Sequence, residues 1–170
     1  MEQFSAIFSS PLSRALDTAK MIQRGLSTPC QRGIIIDPLL MELNMGSMEQ
    51  MPWNIPFQIG TRDTAFPTGG ESLNDVLKRS LSAIDLLLLF LNNKNNPKEE
   101  VEEEHILLVS HGMFLTEFVH ALCIRYESPW IDLTWSNTGI TTIEINRDQQ
   151  EERKEKIRFL CINDTQHLFF

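Results

Sequence analysis

Paired cysteines are missing from this sequence. Cys30, Cys123 and Cys161 stand far apart, odd in number and without a Cys-x-x-Cys spacing. That favours reduced thiols in a cytosolic or nuclear protein over a disulfide framework or a zinc site. Positive charge is also scarce, with 15 basic against 23 acidic residues, a net −8 and no basic stripe. The balance argues against nucleic acid as a partner, but not against a phosphorylated small molecule, which needs only a local cationic pocket. Long apolar runs are absent: the longest, Leu86 to Leu91, is six residues, whereas a membrane span needs about 20. The opening Met1-Glu2-Gln3-Phe4 lacks the basic start and apolar core of a signal peptide. No glycine-rich nucleotide loop occurs, because Thr68-Gly69-Gly70-Glu71-Ser72 has no lysine and follows no strand. Nothing has the spacing of a metal cluster.

The residues that are present suit one soluble α/β domain over 1–170, with 42% hydrophobic and 22% charged residues. Residues 5–9 read as a buried strand. Pro11 then opens an amphipathic helix over 11–26, whose Leu12, Ala15, Leu16, Ala19, Ile22 and Leu26 recur at helical spacing. Ile34-Ile35-Ile36 is a short β-branched strand closed by Asp37-Pro38. From 43 to 70 the period breaks amid prolines and glycines, as expected of a loop covering a substrate. Ser72 caps a helix whose apolar stripe runs to Leu91, and 92–104 is a polar surface linker. Ile106 to Val109 is a continuous apolar strand suited to a parallel sheet, followed by a helix striped with Phe114, Leu115, Phe118, Val119 and Leu122. Gly139–Asn146 and Ile157–Ile162 read as strands able to pair as a hairpin around the charged loop Arg147 to Lys156.

Two strand-to-helix junctions match one another. Ala6-Ile7-Phe8-Ser9-Ser10-Pro11 and Ile106-Leu107-Leu108-Val109-Ser110-His111-Gly112 are both apolar runs that stop at serine before a helix. Such junctions aim backbone N–H groups, here near Ser10 and Gly112, at one point that favours an anion. Both lie at strand carboxyl ends, where ligands bind in parallel sheets.

Arg14, in the first helical turn, can grip a phosphate bidentately or make a surface salt bridge. His111, at a strand end beside helix donors, can as a cation stabilise a transferring phosphoryl group, or be structural. Glu42 follows an apolar run, where partial desolvation suits it to giving a proton to a leaving oxygen; the plainer reading is a surface glutamate. Asn137-Thr138-Gly139 is a turn at the rim of this pocket. His120 reads as a packed or half-exposed helix residue.

The order of these segments carries a resemblance. Phe8-Ser9-Ser10-Pro11-Leu12-Ser13-Arg14-Ala15 closely resembles the second motif of the histidine phosphatase superfamily, the phosphoglycerate mutase-like enzymes. Glu42-Leu43-Asn44-Met45-Gly46 is similar to its general-acid segment, Pro67-Thr68-Gly69-Gly70-Glu71-Ser72 to its substrate loop, and Val109-Ser110-His111-Gly112 to its second-histidine motif. Asn137-Thr138-Gly139-Ile140-Thr141 and Asn163-Asp164-Thr165-Gln166-His167-Leu168 are similar to its late strand and tail. The final segments and Gly69-Gly70-Glu71-Ser72 look most like the related phosphatases, including TIGAR-type fructose-2,6-bisphosphatases.

The resemblance implies a three-layer sandwich with a mostly parallel sheet. It implies Arg14 on the phosphoryl oxygens, with Ser10, Gly112 and Asn137 beside it, His111 as the second pocket histidine and Glu42 as general acid. No metal or organic cofactor is implied. The family's opening strand ends in Arg-His-Gly, whose histidine is the nucleophile, and no Arg-His-Gly occurs in these 170 residues. The expectation is therefore a chain lacking the first strand and helix, with little phosphatase activity. A sheet edge left open to self-association and reduced stability would accompany it. Gln50 stands where the family has a glycine after its second glutamate.

Overall fold

The computed structural model describes residues 3–51, 60–92, 104–146 and 157–169. Strand β1 (Phe4–Ser9) lies at the centre of a parallel sheet, between β2 (Ile34–Ile36) and β3 (His105–Val109). Phe8 sits level with Ile35 on one side and Leu108 on the other. Helix α1 (Ser13–Gly25) follows β1, α2 (Leu73–Asn92) precedes β3, and α3 (Gly112–Arg125) follows it. A separate antiparallel hairpin joins β4 (Ile140–Ile145) to β5 (Ile157–Asp164).

Strand side chains alternate between faces, and this sorts the core into two layers. Ile7, Leu107 and Val109 face α1, where they meet Ala19 and Cys30. Ala6, Phe8, Ile106 and Leu108 belong to the larger cluster built with α2 and α3. Phe8 meets Phe90 of α2 edge-on, with ring centroids 5.1 Å apart. The hairpin closes on the same cluster through Ile143, Ile145 and Phe159. The result is the expected helix–sheet–helix sandwich.

The helix expected over 11–26 begins at Ser13 instead. The Ser10 hydroxyl accepts the Leu12 N–H at 3.2 Å, a serine turn that holds Pro11 and Leu12 outside the helix. Ser72 caps α2 as expected: its Oγ accepts the Asp75 N–H at 3.1 Å, while the Asp75 carboxylate accepts the Ser72 N–H at 3.0 Å. The Ser72 hydroxyl also donates to Asp75 Oδ2 at 2.7 Å, and this bond, followed by the one from the Ser72 N–H, holds the Asp75 carboxyl below its ordinary range.

The 43–70 stretch is laced where it is described. Glu71 N–H donates to Asn44 O at 2.8 Å and Ser47 N–H to Pro67 O at 3.3 Å. Gly46 has φ +57°, and a Cβ there would stand 2.0 Å from Pro67 O, so a side chain has no room. Residues 52–59 of that loop, 93–103 of the expected linker and the charged loop 147–156 lie outside the described residues. Among the described residues, no helix is long and apolar enough to cross a membrane.

Candidate active site

The two junctions converge as their matching patterns predict. Ser10 N–H donates to Val109 O at 3.1 Å, which locks the end of β1 beside the end of β3. From β3's end, Ser110 Oγ donates to Leu40 O at 2.7 Å, drawing in the segment that carries Glu42. Three stretches far apart in sequence thus meet at one carboxyl edge of the sheet.

His111 is 7% exposed and stands at the N-cap of α3. Arg14 Nε–H donates to its Nδ1 at 3.1 Å, across 97 positions of sequence. Nδ1 therefore carries a lone pair, and the neutral ring bears its proton on Nε2, 2.9 Å from the Ser10 hydroxyl. Burial, and then the Arg14 guanidinium, push the His111 pKa below its ordinary value, against a smaller opposing pull from Glu42. The imidazolium, one of the two forms of His111 that the sequence left open, is thus disfavoured. A bound phosphoryl dianion would reverse that balance. Arg14 is exposed, and among the described residues its Nη groups have no hydrogen-bond partner, so they remain available to a ligand.

Glu42 is half-buried, and its carboxylate sits on the amino end of α3. Oε1 accepts N–H groups from Phe114 at 3.1 Å and Leu43 at 2.9 Å, and Oε2 accepts that of Met113 at 3.4 Å. Helix donors and dipole are both aimed at this negative charge. Gly112, at the first turn of α3, has no atom other than its chain neighbours and the backbone of its own helix within 4 Å of where a Cβ would be, which leaves it open to approach.

Asn137 is exposed in the turn before β4, and no described hydrogen bond joins it to Arg14, His111 or Glu42. That turn is held by Asn163, whose Oδ1 accepts the Ser136 N–H at 2.8 Å. Sequence reading missed Arg79 of α2 and Glu71, whose ion pair at 2.8 Å lies behind Glu42. The signal available was Arg79 falling between the buried α2 positions Val76, Ser80 and Ala83. His120 is buried, as expected of a packed helix residue.

The lowered His111 pKa predicts a pH effect on stability. The folded protein binds fewer protons at this site than the unfolded chain, whose histidine titrates near 6.5. This site therefore contributes a loss of stability as pH falls through about 6.5. His111→Gln should flatten that part of the profile in urea melts between about pH 7.5 and 5.5. An unchanged slope would show that the loss arises elsewhere.

Known proteins resemble this chain along most of its length. Residues 1–157 match the model of the histidine phosphatase superfamily (branch 1). A probable phosphatase of Schizosaccharomyces pombe is 28% identical over 143 residues, covering 82% of this chain and 48% of that protein. A probable phosphoglycerate mutase GpmB of Yersinia pestis is 34% identical over 119 residues, covering 64% of this chain and 48% of that one. The chain thus spans about half the length of these curated relatives. Among solved structures, a putative alpha-ribazole-5'-P phosphatase of Escherichia coli has TM-score 0.63 at 20% identity, covering 95% of this chain and 74% of its own. A mycobacterial glucosyl-3-phosphoglycerate phosphatase complexed with inorganic phosphate has TM-score 0.59 at 21% identity, covering 95% and 78%. The sandwich is the one these phosphatases share, and the chain belongs to branch 1 of the histidine phosphatase superfamily.

Proposed function

We propose that this chain supplies the phosphoryl grip and the proton donor of a phosphomonoesterase acting on a phosphorylated small molecule. The observation that carries the reading is the convergence of Arg14, His111 and Ser10, bonded at 3.1 and 2.9 Å, beside the Glu42 carboxylate on α3. Arg14 and the His111–Ser10 pair bind the phosphoryl oxygens, with Gly112 offering backbone. Glu42 gives a proton to the leaving oxygen and afterwards takes one from the attacking water.

The phosphohistidine intermediate requires the Arg-His-Gly histidine, and these 170 residues contain no such triplet. His111 is a poor substitute, being held between Arg14 and Ser10, while in-line attack on phosphorus demands a free lone pair aimed along the reaction axis. The expected behaviour is phosphate binding with little turnover. Calorimetry with inorganic phosphate and a p-nitrophenyl phosphate assay on the purified chain test this. Brisk hydrolysis abolished by His111→Ala would overturn it. For the complete site we propose a sugar phosphate as substrate, with fructose 2,6-bisphosphate the first to assay.

A second reading is a non-catalytic module that binds an anion or pairs its sheet edge with another copy. One observation favours it: β3, an apolar strand, ends the sheet order β2-β1-β3. A mass by light scattering that rises with concentration supports this reading, and a constant monomer mass argues against it.

A further inference from the structure

We infer that Arg79 and Glu71 form a positioning pair that fixes the direction of the Glu42 carboxylate. This rests on the reading of Glu42 as the proton donor. Arg79 reaches out from α2, and its Nη1 donates to Leu39 O at 2.7 Å and Met41 O at 2.8 Å. Its Nε and Nη2 grip the two oxygens of Glu71 at 2.9 and 2.8 Å, the planar bidentate arrangement of guanidinium and carboxylate. Glu71 in turn accepts the Asn44 N–H at 2.9 Å and donates its own N–H to Asn44 O at 2.8 Å.

The backbone is therefore held at the residue before Glu42 and again two residues after it. Between these anchors the peptide has little freedom, so the Glu42 side chain is aimed at the amides of Met113 and Phe114. The same guanidinium lies 5.3 Å from the Phe114 ring, which joins the clamp to the turn that receives the carboxylate. Arg79 and Glu71 side chains are 15% and 24% exposed, shielded enough for the pair to hold its geometry. A lysine at 79 offers one charged nitrogen and cannot span two carbonyls and a carboxylate together. The pair touches no reacting atom and acts through Glu42.

The Phe114 amide proton tests the inference, because it donates to Glu42 and its NMR shift follows the ionisation of that carboxylate. In the native chain without phosphate, a pH titration should move this amide, and Glu42→Gln should abolish the movement. Glu71→Gln and Arg79→Lys should at least halve it while the remaining amide signals keep their positions. An undiminished excursion in both variants would overturn the inference, as would no Glu42-dependent excursion in the native chain. Collapse of the whole spectrum in both variants would overturn it too, since the pair would then be holding the fold and not Glu42. Phosphate-dependent shifts at Ser10 and His111 are read separately. Their absence would sink the phosphoryl-grip reading without altering the Phe114 result.

Discussion

Replacing Arg62 with alanine is expected to cost about 3 kcal/mol of stability, a fall in Tm of roughly 6–12 °C for a chain of this size. Glu117 lies in the middle of α3 with its side chain 2% exposed, and Arg62 Nη2 donates to its Oε2. His120 Nδ1 is 3.4 Å from the other Glu117 oxygen, but outside hydrogen-bond geometry. His120 is instead stacked on Trp130, with centroids 3.8 Å apart, and its Nε2 meets Asp132 at 3.3 Å. Removing Arg62 therefore strands a buried carboxylate, and that desolvated charge, more than the lost bond, sets the cost. Because Arg62 is itself 37% exposed, the low end of the usual range applies.

The decisive comparison is a double-mutant cycle. In a Glu117→Gln background no buried charge remains to be stranded, so Arg62→Ala should cost about 1 kcal/mol or less. Equal costs in the two backgrounds would show that Arg62 contributes by packing against Trp130, whose ring lies 5.3 Å from its guanidinium, or through Asn74.

Arg14→Ala should weaken inorganic phosphate binding by roughly 30- to 100-fold near neutral pH, while Tm changes little. Hydrogen bonds from a guanidinium to a charged oxygen contribute about 1.5–3 kcal/mol. The residue is exposed, and its one described side-chain bond is to His111, so folding loses little with it. Two effects oppose each other here. Loss of the guanidinium removes the phosphate grip, yet it also relieves one of the two main causes holding the His111 pKa down. Burial remains, so His111 becomes easier to protonate without returning to its ordinary value. Below about pH 6.5 a protonated His111 recovers part of the lost attraction, and the penalty should shrink with acidity. Phosphate titrations of both proteins across that range check this. Undiminished affinity in Arg14→Ala would place the anion elsewhere.

The elements that the sequence predicted well are those whose pattern is local. Alternating Ala6, Ile7 and Phe8 had to divide between two faces, and did so, because strand geometry leaves no other arrangement. The α2 stripe, the hairpin and the serine-ended junctions were legible for the same reason. The start of α1 was not, because a single bond from the Leu12 N–H to the Ser10 hydroxyl outweighs the preference of Pro11 for a first turn. The burial of Glu117 was not legible in its residue type, although its spacing from Phe114 and Ala121 puts it on the buried face of α3.

By itself, then, the sequence determined the α/β class, the order of the elements, and three candidate site residues, Arg14, Glu42 and His111. Residue type and short-range period suffice for these. Only the tertiary structure decided which groups meet. It put Arg14 on His111 Nδ1, and so left the ring neutral with its proton toward Ser10. It seated Glu42 on amides 71 and 72 positions away, clamped its backbone with Arg79 and Glu71, and paired Arg62 with a buried glutamate 55 positions on. Contacts at such separations arise from the register of parallel strands and the packing of helices on them, which no local pattern encodes.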